Sequence, residues 1–563
     1  MELKILKLVI FLLFSFLFFF SFFLCFFLGT FFLDSNSYVV ELVIPFSLLS
    51  EMPFRFTVDY VSLFFFSGVS VISGVVFLYR KFYMDEDFFV VNFLNYRFFY
   101  LLFFFVASIF FLVFSSSWVV VIIGWDGLGL VSFLLVIFYN NSSRLDSGLI
   151  TVFTNRVGDC LFILSFIFFF YGGYFSIDFL RFHCCVFFCV VFFLGAITKR
   201  AQMPFSSWLP AAIAAPTPVS SLVHSSTLVT AGIYLLIRFN YLLSSVFCYL
   251  LPISLLTTVI AGLCAVYELD FKKVVAISTL RQLGFIIFSI SCGYWLLGFL
   301  HILFHAFFKS SLFLSTGNLI HYISGDQDSR DFGSFGFSFS SKLIFSLRCL
   351  SLMGFPFSLG FYSKDSIIGD LIFSSFSLFS FVFMLGCCFT VAYRFRLIYI
   401  GFMRFPSFFI STSYLEDSYF FLSILFLYLP CVFLGNFFFF NFLPPVVFSF
   451  LDFSIGLLII VLGFLFFKSS PQYYLLVNSL MRIIFLSIIS SFFVSKKMVR
   501  MFYKGEHSWG EFFGAKGLFY TNFVTSSYRI RLYLLKTSQL VLIFILFYLV
   551  IRSLGSLFYV FFF

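Results

Sequence analysis

Apolar runs long enough to cross a bilayer follow one another along the whole chain, parted by short polar or glycine-rich joints. A hydrocarbon core of about 30 Å takes roughly 20 helical residues. Runs of this kind are read at 5–33, 58–79, 98–114, 118–139, 149–171, 183–213, 218–239, 243–266, 274–291, 297–323, 343–372, 373–403, 418–438, 446–467 and 537–558, which makes 15 spans. The runs 98–114 and 118–138 do not alternate apolar with polar residues, as the strands of a membrane barrel do. A segment surrounded by lipid must satisfy its own backbone hydrogen bonds, and a helix does so. The fold class is therefore an all-α polytopic membrane protein.

Charge between the runs tests this list. With the N-terminus inside, the inner loops receive Arg80, Lys81, Arg97, Arg144, Lys272, Lys273, Arg330, Lys342, Arg404 and Lys468. The outer loops receive Arg55 and Arg181 among Asp34, Glu41, Glu51 and Asp178. That is the bias expected of inserted helices. The same rule treats the ambiguous stretch 473–494 as a surface segment. If it spanned, Lys496, Lys497, Arg500 and Lys504 would fall outside, and Asn478, Ser479 and Arg482 would enter the membrane. A lateral segment over 472–534, followed by one last span, is the expectation.

Two spans are interrupted. In 183–213, Met203-Pro204 and Pro210 follow Lys199, and in 343–372, Gly354-Phe355-Pro356 precedes Lys364. Proline removes one helical hydrogen bond and clashes with the turn before it. Broken spans at matching places in two halves point to an ion path at the bilayer midplane. The echo of Pro204-Phe205-Ser206 in Pro356-Phe357-Ser358 fits an internal repeat. The expected organisation is a first span and outer loop (1–57), two halves (58–240 and 241–403), further spans (404–471), the lateral segment (472–534) and a terminal span (535–563).

Composition narrows the class further. Of 563 residues, 62% are hydrophobic and 10% charged, too little charge to cover a soluble surface. The 105 phenylalanines lie where any apolar residue would serve lipid contact and carry no chemistry of their own. The 12 cysteines form no CxxC pair, and no GxGxxG or Walker loop follows a strand, so neither a cluster, a nucleotide nor a flavin is expected in this chain. The net charge of +10 is read as membrane topology, with no nucleic-acid partner. The run 5–27 follows Lys4 and Lys7 without a small-residue cleavage site, and is read as a retained first span.

A charge at the bilayer centre costs about 2.5–3.5 kcal/mol on insertion scales, so each one needs a reason. Asp126 sits within the apolar run 118–139, where the rival reading is an interfacial acid. Lys199, with Arg200 beside it, marks the first break, and an inner-loop lysine is the alternative. His301, His305 and Lys309 recur every fourth residue and so line one helix face. Titratable groups in file suit a proton relay, since histidine exchanges protons near neutral pH. A metal site is the rival, although no carboxylate is close in sequence. Lys364-Asp365 follows the second break, and an interfacial pair is its bland reading. His224 lies in a stretch rich in Ser and Thr, where a buried, hydrogen-bonded histidine competes. Arg156 and Asp159 form a local pair near a span start.

These residues carry a resemblance. Gly124-Trp125-Asp126-Gly127-Leu128-Gly129, Asn155-Arg156-Val157-Gly158-Asp159, the run Thr198-Lys199-Arg200-Ala201-Gln202-Met203-Pro204-Phe205-Ser206-Ser207-Trp208-Leu209-Pro210 and the stretch from Pro216 to Leu228 look like motifs of the antiporter-like membrane subunits of NADH:ubiquinone oxidoreductase, respiratory complex I, chain 5 in particular. Asp270-Phe271-Lys272-Lys273, the stretch 301–309 and Gly360-Phe361-Tyr362-Ser363-Lys364-Asp365 extend the likeness over 58–370, and Ser508-Trp509-Gly510-Glu511 renews it. The resemblance implies two inverted five-helix repeats, each with a discontinuous helix and a lysine, and a lateral helix before the last span.

It further implies that Asp126 and Lys199 form an ion pair, that His224 leads onward, that His301, His305 and Lys309 make a central relay, and that Lys364 and Asp365 end the path. NAD, FMN, iron–sulfur clusters and ubiquinone would belong to partner subunits, and bound lipids and the neighbouring chain 4 would be partners. The implied location is the mitochondrial inner membrane, with the N-terminus in the matrix. A secondary cation/proton antiporter and a membrane scaffold are the rival classes. The family often has glutamate at the position of Asp126, and Arg281 stands where a small polar residue is usual.

Overall fold

A computed structural model describes residues 2–469 apart from 34–36, 48–49, 84–90, 172–185, 241–245, 323–326, 331, 333–338, 357, 375–377, 404–417 and 443–449. The chain divides into two compact units, Met1–Leu486 and Ser487–Phe563, and every described residue belongs to the first. The expected lateral segment and terminal span lie outside the described residues.

The apolar runs fold as helices: Glu2–Phe31, Tyr60–Tyr83, Val91–Phe114, Trp118–Val136, Ser142–Tyr171, Phe247–Tyr267, Phe271–Ser291, Trp295–Tyr322, Leu378–Ile398, Ser418–Phe442 and Phe450–Ser469, besides the broken ones. Ten helices among the described residues are long and apolar enough to cross a membrane. The chain is a multi-pass membrane protein. Its helices form an outer and an inner shell. Only 11% of the most apolar stretch of the first helix is buried, against 100% for Phe271–Ser291 and 94% for Trp295–His321. Outer positions such as Phe16, Phe20, Phe23 and Phe27 face outward, where hydrocarbon is the compatible solvent.

Inner helices hide their hydroxyls by turning them back on the helix. Ser67, Ser70 and Ser73 each donate to the carbonyl three residues earlier, at 2.7, 2.8 and 2.9 Å. This local bonding lets a serine stripe lie buried at membrane depth without a distant partner. Phenylalanine fills much of the remaining contact; Phe64 lies edge-on to both Phe26 and Phe438.

Both interruptions read from proline fall where expected. One helix ends at Lys199, the chain turns through Ala201 (φ 56°), and a short helix Trp208–Ala212 follows. The other pair, Phe339–Met353 and Leu359–Ser374, is separated by Gly354 at φ 91°, a left-handed conformation that glycine adopts at little cost. Two features were not legible as such. The span 218–239 is wound wide over Ser220–Thr227, between helical Thr217–Val219 and Leu228–Arg238. There, Ser226 and Thr227 both donate to the Leu222 carbonyl, at 2.9 and 2.6 Å. These bonds help satisfy carbonyls that an α-helix would bond to its own amides.

The outer loop is the second. Tyr38–Ser47 and Ser50–Val58 pair as an antiparallel hairpin, the one sheet among the described residues. Its register sets Glu41 opposite Arg55, and Arg55 Nε lies 2.6 Å from Glu41 Oε1. The Ser116 amide donates to the Arg55 carbonyl at 3.0 Å, which ties the hairpin to the turn before Trp118–Val136.

Candidate functional site: two buried charge clusters

The first cluster joins three helices. Lys199, fully buried, ends the helix Val186–Lys199. Its Nζ lies 3.7 Å from Asp159 Oδ1, donates to the Trp125 carbonyl at 2.5 Å and stands 3.8 Å from the centre of the Trp125 ring. Trp125 Nε1 donates to the same Asp159 oxygen at 2.9 Å. Arg156 Nη1 bridges the two acids, 3.3 Å from Asp159 Oδ2 and 3.8 Å from Asp126 Oδ1.

This corrects the expected pairing of Lys199 with Asp126: the carboxylate within 4 Å of Lys199 is Asp159. Two reasons are visible. Trp125 turns its carbonyl to Lys199, and the next side chain, Asp126, leaves the helix about 100° further round, toward Arg156. The second reason is close helix packing. A Cβ on Gly158 would fall 1.9 Å from Thr198 Oγ1, so the helix Ser142–Tyr171 meets the Lys199 helix there nearly backbone to backbone. Asp159 and Lys199 each follow one of these two contact residues in sequence, and so meet. Asp159 also lies mid-helix instead of near a span start. The reading of Lys199 as an inner-loop lysine fails on its burial.

Trp125 was not singled out by the sequence, although it supplies a carbonyl, an indole N–H and a ring face. A hydrogen bond to a charged partner contributes about 1.5–3 kcal/mol. Trp125→Phe is therefore expected to lower the thermal unfolding temperature of the detergent-solubilised assembly and to loosen Asp159, read as a loss of activity. Unchanged unfolding and activity would remove Trp125 from the site.

The second cluster surrounds Trp295–Tyr322. His301, His305 and Lys309 are fully buried along it. His301 Nδ1 lies 2.8 Å from Ser363 Oγ and its Nε2 3.3 Å from Gln282 Oε1. Lys309 Nζ donates to Ser278 Oγ, and Arg394 Nη2 reaches the same oxygen at 3.3 Å. Arg281 Nε donates to the Gly386 carbonyl at 3.0 Å. Lys364 donates to the carbonyl of Leu352 at the end of the preceding helix segment, so the second lysine, like the first, sits at a helix break. Asp365, also buried, lies near Gly456: a Cβ there would come 2.9 Å from Asp365 Oδ2.

His224 occupies the wide turn Ser220–Thr227, which packs against Trp295–Tyr322. It is buried, and neither ring nitrogen has a hydrogen-bond partner among the described residues. Of the reading as a hydrogen-bonded core histidine, the burial is met, and no hydrogen-bond partner stands among the described residues. The second cluster also contains side chains the sequence did not flag, among them Arg394, Gln282 and Ser278. Among the described residues no three His, Cys, Asp or Glu side chains gather as a metal site.

A multi-pass helical bundle with two broken helices, each carrying a buried lysine, defines an antiporter-like membrane subunit. The family model described as NADH:quinone oxidoreductase/Mrp antiporter, TM, matches residues 115–390. The structure is similar to a chain in the Mrp complex from Dietzia sp. DQ12-45-1b, with a TM-score of 0.71 at 22% identity, covering 94% of this chain and 59% of that one. A relative from Aedes aegypti named NADH-ubiquinone oxidoreductase chain 5 is 44% identical over 371 residues, which is 64% of this chain and 62% of that protein. One of the same name from Anopheles arabiensis is 42% identical over 359 residues, 62% of this chain and 92% of that one. The chain thus spans about three fifths of the length of its Aedes relative. It belongs to the NADH-ubiquinone oxidoreductase chain 5 family.

Proposed function

We propose that this chain is a proton-translocating subunit of the membrane arm of respiratory complex I. It moves protons across the mitochondrial inner membrane while NADH oxidation and quinone reduction occur in other subunits, which hold NAD, FMN, iron–sulfur clusters and ubiquinone. The observation that carries this reading is Lys199, fully buried where a helix breaks and 3.7 Å from Asp159. An ion pair at about 4 Å contributes about 4 kcal/mol at an effective dielectric of about 20. That is about three powers of ten in an equilibrium constant, enough for one pair to hold a proton when closed and release it when open.

The proton leaves Lys199 past His224 toward His301, His305 and Lys309, and Lys364 with Asp365 ends the path toward the outer face. Asp126 receives the signal from the neighbouring subunit, for which chain 4 is the candidate, and passes it to Asp159 electrostatically through the Arg156 bridge. Residues 58–240 and 241–403 act as two inverted repeats, each with one break. The N-terminus lies in the matrix, and lipids surround the outer shell.

The similarity to the Mrp structure supports a second reading, a secondary cation/proton antiporter. Vesicles holding the purified assembly separate the two. Proton movement is expected to require both NADH and quinone and to stop when either is withheld. Sodium-driven proton exchange without an electron donor would overturn the complex I reading. Mass spectrometry of the co-purifying subunits identifies the partners directly.

A further inference from the structure

The second cluster holds more fixed positive charge than a proton path needs. Ser278, Arg281 and Gln282 stand at i, i+3 and i+4 on Phe271–Ser291 and so share a face. This helix packs against the one bearing His301, His305 and Lys309. Two rungs join them: Gln282 Oε1 with His301 Nε2 at 3.3 Å, and Ser278 Oγ with Lys309. His305 lies between the rungs, one turn from each. Arg394 approaches from Leu378–Ile398 and meets the lower rung at Ser278.

The buried polar atoms left without a hydrogen-bond partner here are both nitrogens of His305, Gln282 Nε2, Arg281 Nη1, and Arg394 Nε and Nη1. All four residues are at most 1% exposed. Five of these six atoms are N–H donors in any protonation state or, for His305, one nitrogen always is; what they need is an acceptor. Charge decides which acceptor. A guanidinium keeps its charge where lysine and histidine can shed theirs. Arg281 and Arg394 therefore bring two permanent cations to a core whose buried carboxylate, among the described residues, is Asp365; the other buried acid, Asp159, belongs to the first cluster. Each guanidinium also has a side-chain hydrogen bond with a thiol, Arg281 with Cys387 and Arg394 with Cys349, and a neutral thiol leaves the charge in place. Water would fill the donors but leave the charge. Buried charge is stable when it is paired.

We propose that Arg281 and Arg394, with Gln282 and His305, bind a monovalent inorganic anion of the halide class, chloride in the working membrane, between the two rungs. A halide accepts hydrogen bonds from several directions without a fixed geometry, which suits N–H donors offered by three different helices. Held there, the anion offsets one of the two guanidinium charges beside the protonatable side chains.

The test is X-ray diffraction from crystals of the complete assembly in which bromide replaces chloride, with the anomalous signal of bromide as readout. This reading does not depend on pumping, so it stands or falls apart from the proposed function. A bromide peak is expected within hydrogen-bonding reach of Arg281 and Arg394, lost in the double variant Arg281→Ser, Arg394→Ser and retained in Arg394→Lys. No peak in native crystals, or an undiminished peak in the double variant, overturns the proposal. If the double variant does not assemble, the native crystals and Arg394→Lys still decide it.

Discussion

Asp159→Asn is expected to abolish proton pumping by the assembled enzyme, whereas Asp126→Asn leaves a substantial part of it. The carboxylate of Asp159 lies 3.7 Å from the fully buried Lys199 amine. Removing its charge withdraws about 4 kcal/mol at an effective dielectric of about 20, roughly a thousandfold in the proton equilibrium of the pair. Asp126 acts on Lys199 from beyond ion-pair distance, more weakly than Asp159, and its ion pair is with Arg156, whose side chain is 46% exposed in the isolated chain. A pair that exposed contributes about 0–1 kcal/mol, a factor of about five at most. Lys199→Ala should match Asp159→Asn. The measurement is protons moved per electron in sealed vesicles, with NADH oxidation as the control for assembly. Equal losses in Asp126→Asn and Asp159→Asn would restore the pairing expected from the resemblance. Full pumping in Lys199→Ala would remove the first cluster from the path.

Gly360→Ala is expected to be the most damaging single-methyl change at the second break. A Cβ at this position would lie 2.0 Å from the Ser351 carbonyl oxygen, a backbone atom that cannot rotate away. Overpacking of a close-packed core costs about 1–3 kcal/mol, and the upper end applies where backbone must move. The segments Phe339–Met353 and Leu359–Ser374 would be pushed apart. Lys364, one turn beyond Gly360, would lose the hydrogen bond it donates to the Leu352 carbonyl. Lower recovery of the intact assembly and fewer protons per electron are the expected results. Gly68→Ala is the control, because its nearest contact would be 3.8 Å from Leu303, ordinary van der Waals distance. Equal behaviour of the two variants would show that the break tolerates separation.

Lys199 and Lys364 share a physical setting. Each lies next to an interruption, and each donates a hydrogen bond to a backbone carbonyl, Trp125 or Leu352. The Leu352 carbonyl belongs to the last turn of a helix segment, where no amide of its own helix follows to bond it. Trp125 lies inside an intact helix, and there Asp159 supplies the charge that faces the amine. Proline and glycine stand within ten residues of both lysines in sequence.

The sequence by itself determined what depends on neighbours along one helix. Spans follow from apolar length, interruptions from Pro204 and from Gly354 with Pro356, and the common face of His301, His305 and Lys309 from the helical repeat. None of these requires knowing where another helix lies. The tertiary structure alone decided the partners. Asp159 rather than Asp126 pairs with Lys199 because Gly158 allows its helix to close on Thr198, which sets the rotation of one helix against the other. Arg394 meets Ser278, the partner of Lys309, across 116 residues of sequence, and no repeat in either helix encodes that encounter. Single-helix periodicity places a charge on a face; close packing between helices decides which charge that face meets.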